Sequence, residues 1–258
     1  MDAMGELGAA ERERYARHLR LPQVGEAGQL RLKRGRVLVI GCGGLGSPAL
    51  FQLAAAGVGT LGLVDADVVE ASNLQRQILY GTADLGQPKA EQAARRLAAL
   101  NPHLTFQPLR ARFAAANAAE LLAGWDFVLD CTDNFASKFQ INDACVRHGI
   151  PFCHGGILAF TGQLLAVHPG RSACYRCVFG APPPERPGDR LPAGPLGAVP
   201  GVIGTLQAME AIKHLLGLGA PLAGRLLTYD ALAARFREVP VARAADCPAC
   251  GGGRRQGV

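Results

Sequence analysis

Three groups of residues in this chain have types and spacings that could do chemistry. The first is Gly41, Gly43 and Gly46 in VIGCGGLGSP, a GxGxxG turn. Glycine there permits a tight turn and lets the backbone approach a phosphate closely. The second is a set of charged and polar groups after that turn. Asp65 stands at the end of a strand-like run, Asn73 and Arg76 lie in SNLQRQ, Lys89 in GQPKAE, and Asp133 in DCTDN. An acid such as Asp65 can accept hydrogen bonds from ribose hydroxyls, cations can meet a phosphate chain, and a carboxylate such as Asp133 could hold Mg²⁺ beside phosphate oxygens. The third is two CxxC pairs, Cys174 with Cys177 and Cys247 with Cys250, separated by 69 residues. Together they have the ligand count of a closed, structural Cys₄ Zn²⁺ site, and a disulfide arrangement is the competing reading.

Each polar group also has a plainer reading. Lys89 in a first helical turn is unfavourable to the helix dipole unless an anion sits there, but it could simply face solvent. Asp133 or Asn134 could do no more than cap the helix that follows. Asp65 suits ATP and NAD equally, so it does not separate a nucleotidyl transferase from a nicotinamide oxidoreductase. Arg76, Lys89 and a Mg²⁺ ligand favour the transferase, which must stabilise charge on an attacked phosphate and on leaving pyrophosphate. A zinc-stabilised scaffold without catalysis is a third reading. Cys42, Cys131, Cys145 and Cys153 lie in apolar settings and read as small buried hydrophobes.

The elements that must position these groups alternate strand and helix for the first 150 residues, the pattern of a doubly wound parallel sheet. A β-branched run over 37–40 reads as a buried strand, with Ser47 as N-cap and Pro48 opening the next helix, which Gly57 ends. A second strand over 60–64 leads into Asp65, Pro88 opens a helix carrying Lys89, and a strand over 125–129 leads into DCTDN. The fold class expected is α/β: a mostly parallel Rossmann-like sheet with an antiparallel C-terminal extension and a Cys₄ site. The 258 residues, 49% hydrophobic, read as one domain, with a nucleotide-binding half over 1–150 and a zinc half over 151–258. The segment 181–195, APPPERPGDRLPAGP, cannot be helix or central strand.

Some partners are disfavoured. The net charge is +6, with four lysines and 23 arginines scattered and no basic run, which gives no nucleic-acid signature. No apolar run has spanning length and the N-terminus has no signal-peptide core, so a cytoplasmic protein with no membrane partner is expected.

GCGGLG, SNLQRQ, GQPKAE, LDCTDN, CYRC, GVIGTLQAMEAIK, FRE and CPAC together resemble the ThiF/MoeB/HesA family, prokaryotic relatives of ubiquitin-activating enzymes, over about Tyr15 to Cys250. The resemblance implies an adenylyltransferase that uses ATP and Mg²⁺ on the C-terminal glycine of a small ubiquitin-like sulfur-carrier protein ending in Gly-Gly. It also implies a homodimer with one structural Zn²⁺ per subunit, and it adds carrier binding to the zinc half over 151–258. By position it assigns Gly41, Gly43, Gly44 and Gly46 to the ATP phosphates and Asp65 to the ribose. Asn73, Arg76 and Lys89 go to phosphates, Asp133 to Mg²⁺, and Cys174, Cys177, Cys247 and Cys250 to the metal. Arg17, in RYARHLR, matches an arginine that reaches into the partner subunit's ATP site. Some relatives carry a reactive cysteine before GVIG; here 181–200 has none, and Arg190 stands near that place. With no rhodanese-type domain after Cys250, a separate sulfur donor is expected. Activation of a small molecule or of a tRNA-base substituent is the runner-up, and the pathway (molybdopterin, thiamin or tRNA thiolation) is left open.

Overall fold

The computed structural model describes residues 6–182 and 194–251; Arg190 and most of the proline-rich segment lie outside them. Among the described residues eight strands form one sheet: β1 (Arg36–Ile40), β2 (Thr60–Val64), β3 (Thr105–Leu109), β4 (Phe127–Asp130), β5 (Phe152–Leu158), β6 (Thr161–Val167), β7 (Arg225–Asp230) and β8 (Arg235–Pro240). Their spatial order is β3-β2-β1-β4-β5-β6-β7-β8. The first five are parallel, and β6, β7 and β8 continue the sheet antiparallel. The expected parallel sheet with an antiparallel extension is therefore present, and one sheet runs through both halves of the chain.

The helices are α1 (Ala9–Arg14), α2 (Ala16–Leu19), α3 (Gly25–Arg34), α4 (Gly46–Ala56), α5 (Lys89–Leu100), α6 (Ala118–Leu122), α7 (Phe135–His148), α8 (Tyr175–Phe179) and α9 (Ala198–Leu216). They cover both sheet faces. Val37 and Val39 of β1 point into a core shared with α4, α5 and α9, while Leu38 and Ile40 point into one shared with α6 and α7. Strands buried on both sides need the near-continuous apolar runs seen in RVLVI and TLGLV. No helix among the described residues is long and apolar enough to cross a membrane.

Three elements have bounds that differ from the sequence expectation. Helix α4 begins at Gly46 with Leu45 as N-cap, so Ser47 and Pro48 lie inside its first turn. The Ser47 amide already donates to the Gly43 carbonyl (2.9 Å), and Pro48 is tolerated because first-turn amides need no intrahelical partner. Pro88 is the N-cap of α5, extended at ψ 131°, and Lys89 is the first helical residue. Strand β4 runs two residues later at its start and one later at its end than 125–129, because the Trp125 indole donates to the Leu121 carbonyl (2.9 Å) and belongs to the preceding turn. Gly57 does end α4, at φ 85°.

Candidate active site

The sheet order reverses between β1 and β4, and the carboxyl ends of those strands form the crevice where open α/β sheets bind ligands. The glycine loop is fixed there by close backbone approach. Gly41 has φ +95°, and a Cβ on it would lie 2.7 Å from the Cys131 carbonyl oxygen of the β4 loop. A Cβ on Gly46 would lie 2.0 Å from the Gly41 carbonyl. Both glycines are thus required by packing within the loop itself. Tyr80, which carried no sequence signal, holds the loop from below: its hydroxyl reaches the Cys42 carbonyl at 2.9 Å and the Lys89 carbonyl at 3.3 Å.

Asp65 leaves the end of β2 with each oxygen already accepting one backbone amide, Cys42 N–H at 2.8 Å and Asp67 N–H at 2.9 Å. Each oxygen keeps a further lone pair, the capacity a ribose diol needs. Burial raises its pKa, and those two amides oppose the rise. A cavity of about 390 Å³ opens above the loop, lined among others by Gly41, Gly43, Gly44, Asp65, Arg76, Lys89 and Asp133. Lys89 is buried, 3.7 Å from Asp67 Oδ2, so the solvent-facing reading of this lysine does not hold. The stem of Arg76 lies over Gly44, whose missing Cβ would be 3.4 Å from Arg76 Cγ, and its guanidinium donates to the Ser72 carbonyl (3.0 Å).

Three sequence candidates are not brought to the cavity wall; the first, Gly46, lies behind it as the opening residue of α4, pressed against the Gly41 carbonyl. Asn73 is buried in a 3₁₀ turn, where its Oδ1 accepts the Glu70 amide (3.4 Å). Arg17 is exposed on α2, next to Tyr15, whose hydroxyl accepts from Asn101 Nδ2 (2.8 Å). Tyr15 packs against Gly57, just before β2 starts, so Arg17 stands at the opposite end of the sheet from its own chain's cavity.

The β4 loop separates the two readings of DCTDN. Asn134 is the N-cap of α7, accepting the Ser137 amide (2.9 Å). Asp133 is released from capping and exposed; among the described residues its side chain has only a 3.4 Å contact, to Asn134 Nδ2. An exposed carboxylate on the wall of a cavity built around a phosphate-type glycine loop fits a Mg²⁺ ion, which takes one or two carboxylates with phosphate oxygens and waters. Asp133 also lines a second, larger cavity of about 580 Å³ over β5 to β8, with Tyr175, Asp230, Arg235 and Arg237. Asp133, Lys138, Ile157 and Leu158 belong to both walls, so the cavities meet there.

Behind this junction lies a charge cluster that the sequence did not announce. Asp130 is buried, with His154 Nδ1 at 3.0 Å and Lys138 Nζ at 3.6 Å. Burial would raise its pKa, but Lys138, His154 and the Thr132 hydroxyl hold it down to about 2. Burial and Lys138 push His154 down to about 4, against the pull of Asp130. Gln207 of α9 donates to the Asp130 carbonyl (2.8 Å) and the Cys153 carbonyl (3.1 Å), pinning β4 to β5.

The four CxxC cysteines converge beside α8, whose first residue, Tyr175, lines the larger cavity. Their Sγ atoms all lie within 4.8 Å of one another, with Cys174–Cys247 at 3.6 Å, Cys174–Cys177 at 3.9 Å and Cys177–Cys250 at 3.3 Å. Tetrahedral Zn–S bonds put sulfurs about 3.8 Å apart, and a disulfide needs about 2.05 Å. The donor set therefore fits one Zn²⁺ and not a disulfide pair. Cys177 also accepts the Ala244 amide (3.5 Å); burial opposes ionisation, yet that amide and the neighbouring groups bring its pKa to about 7. Cys42, Cys131, Cys145 and Cys153 are all buried.

A family model described as the ThiF family matches residues 15–249. The chain is 49% identical over 249 residues to a sulfur carrier protein adenylyltransferase of Thermus thermophilus, covering 93% of this chain and 91% of that one. It is 48% identical over 248 residues to a SAMP-activating enzyme E1 of Haloferax volcanii, covering 96% and 92%. Among solved structures, E. coli MccB shares the fold with a TM-score of 0.84 at 22% identity, covering 98% of this chain and 76% of that one.

Proposed function

The chain belongs to the ThiF family, and from that premise we propose that it adenylates the C-terminal glycine of a small ubiquitin-like sulfur-carrier protein ending in Gly-Gly. ATP occupies the smaller cavity and pyrophosphate is released. The observation that carries this reading is the meeting of the two cavities at Asp133 and Lys138. One is built around a phosphate-type glycine loop. The other opens onto an antiparallel sheet and offers the cationic side chains of Arg235 and Arg237, with the acids Asp133 and Asp230 on the same wall. A chain terminus carrying a carboxylate suits that second space. Exposed apolar side chains on its wall, Phe135 and Leu158, suit the body of a protein substrate better than a small molecule or a tRNA base.

In this mechanism the glycine loop amides and the start of α4 face the phosphates. Arg76 and Lys89 neutralise charge on them, and Asp65 holds the ribose. The attacking carboxylate is already ionised at neutral pH, so no general base is required, and catalysis is positioning plus charge stabilisation. Asp133 would hold Mg²⁺, which supplies Lewis-acid stabilisation of the phosphate oxygens. Arg17 cannot serve its own chain's cavity from α2. We assign it to the site of a second subunit, so the active form is a homodimer, acting in the cytoplasm. Asn73 acts through the turn that presents Arg76, whose amide donates to the Asn73 carbonyl (3.1 Å). Cys174, Cys177, Cys247 and Cys250 would bind one structural Zn²⁺, and sulfur comes from a separate donor.

The test is ATP–pyrophosphate exchange with each Gly-Gly-terminated ubiquitin-like protein of the source organism. One of them is expected to support exchange, and Asp133→Ala to lower it about 100- to 1,000-fold. Exchange untouched by Asp133→Ala would remove this site from consideration.

A further inference from the structure

Lys138 sits in the opening turn of α7 and is buried. Its ammonium donates to the Thr132 carbonyl at 2.6 Å and to the Gly155 carbonyl of β5 at 2.7 Å. Its remaining proton faces Asp130 Oδ2 at 3.6 Å. Asp130 in turn accepts the Thr132 amide (3.1 Å) and the Thr132 hydroxyl (2.6 Å) on its other oxygen. Thr132 is therefore gripped on every polar atom: amide and hydroxyl by Asp130, carbonyl by Lys138. The next residue is Asp133, whose own side chain has, among the described residues, only the 3.4 Å contact to Asn134 Nδ2. An exposed, weakly bonded carboxylate can be held in one place only through its backbone, and this backbone is held by Lys138 and Asp130.

The second anchor of Lys138 matters as much. The Gly155 carbonyl lies on β5, the strand that continues into Ile157 and Leu158, the wall common to both cavities. Lys138 thereby ties the loop carrying Asp133 to the strand between the two cavities. It spends its protons on carbonyls and a carboxylate, and so has none set aside for a substrate.

We propose that Lys138 is a positioning residue for Asp133: it bridges the Thr132 and Gly155 carbonyls and so sets where the Asp133 carboxylate stands relative to the two cavities that meet there. The proposal rests on the adenylation reading above. A misplacement of about 1 Å in such a site costs about 100-fold in rate, so the effect should appear in kcat.

The experiment is a mutant cycle read by ATP–pyrophosphate exchange and by equilibrium ATP binding. Removing Lys138 alone would leave Asp130 as an unpaired buried charge. The informative variant is therefore the charge-balanced Lys138→Met/Asp130→Asn, compared with Asp133→Asn and with the combination of all three. We expect the balanced variant to lose about 100-fold in kcat while the Kd for ATP and the KM for the carrier stay near wild type. Added to Asp133→Asn it should cost almost nothing more, because residues acting through one group are not additive. Multiplicative losses, a wild-type kcat, or a loss confined to ATP affinity would each overturn the proposal. Should circular dichroism show the balanced variant unfolded, Lys138→Arg is run through the same cycle with the same expectation of non-additivity. If no carrier supports exchange by the wild-type enzyme, the adenylation reading falls and takes this inference with it; exchange with multiplicative losses defeats the inference alone.

Discussion

Strands β1, β2 and β4 are buried almost throughout, whereas β7 is only half-buried and β8 is exposed along its whole length. The two ends of one sheet thus face different problems. At the parallel end, backbone does the work: Gly41 and Gly46 are pressed against neighbouring carbonyls, and Asp65 is fastened by two amides. Such a cradle has little freedom to vary and suits a ligand that is always the same. At the antiparallel end, side chains do the work. Arg235, Arg237, Tyr229 and Thr228 line an open groove, and Leu232 and Phe236 stand out in solvent. That end also carries the cysteine cluster: Cys174 caps α8, Cys177 lies within it, and both meet Cys247 and Cys250.

The comparison predicts unequal damage, and the largest should come at the cysteines. Structural zinc sites contribute on the order of 10 kcal/mol to folding. Cys174→Ser is therefore expected to abolish one-to-one zinc binding by elemental analysis and to unfold the protein or lower its Tm sharply. A variant that lost its zinc, kept its Tm and kept ATP–pyrophosphate exchange would mean that the antiparallel end needs no metal, and the contrast between the two ends would fail.

The parallel end was also the legible one, because its signals are local. GCGGLG, the strand into Asp65 and the helix stop at Gly57 each depend on neighbours within a few residues. Capping was misplaced by one or two residues at Ser47 and Pro88, since a cap is decided by backbone angles that ordinary spacing does not encode. The central cluster was illegible for a different reason. Lys138, His154, Gln207 and Tyr80 are common residue types, and their contacts span long stretches of chain: 24 residues from Asp130 to His154 and 77 from Asp130 to Gln207. Only the sheet order, which puts β4 beside β5 with α9 beneath, brings them together. Paired cysteines were different again. Their spacing is distant, but a thiol has so few uses in fours that residue type alone carried the expectation.

The seam between the two ends should be sensitive to acid. His154 on β5 has a folded pKa of about 4, below the ordinary value of 6.5. Between those values the unfolded chain takes up a proton that the folded one refuses, so stability falls as pH drops from 6.5 toward 4, by roughly 3 kcal/mol if His154 acted alone. Asp130, with a folded pKa of about 2 against 3.8, adds a further loss only below pH 4. Chemical denaturation at a series of pH values should show the first slope in the wild type and lose it in His154→Gln. A slope that survives that substitution would assign the acid sensitivity to other groups.

The smallest effect is expected where the two ends are stapled at the surface. Arg176, inside the first CxxC, makes a two-pronged ion pair with Asp143 of α7 (2.6 and 2.7 Å) and lies over the Phe139 ring at 4.8 Å. It joins α7, which starts at the DCTDN loop, to α8, which Cys174 caps and Cys177 lies within. The pair is partly solvated, with side chains 20% and 31% exposed, so its Coulombic gain is screened and a loss of about 1 kcal/mol is expected for Arg176→Met. Zinc content should not change, since neither residue is a thiol donor, and nucleotide affinity should not change, since Asn134 and Asp133 lie at the far end of α7 from Asp143. A Tm drop of several degrees with zinc retained fits a staple between two independently built ends. Loss of zinc from Arg176→Met would instead mean that the cysteine cluster is held in place by α7, and that the antiparallel end is organised from the parallel one.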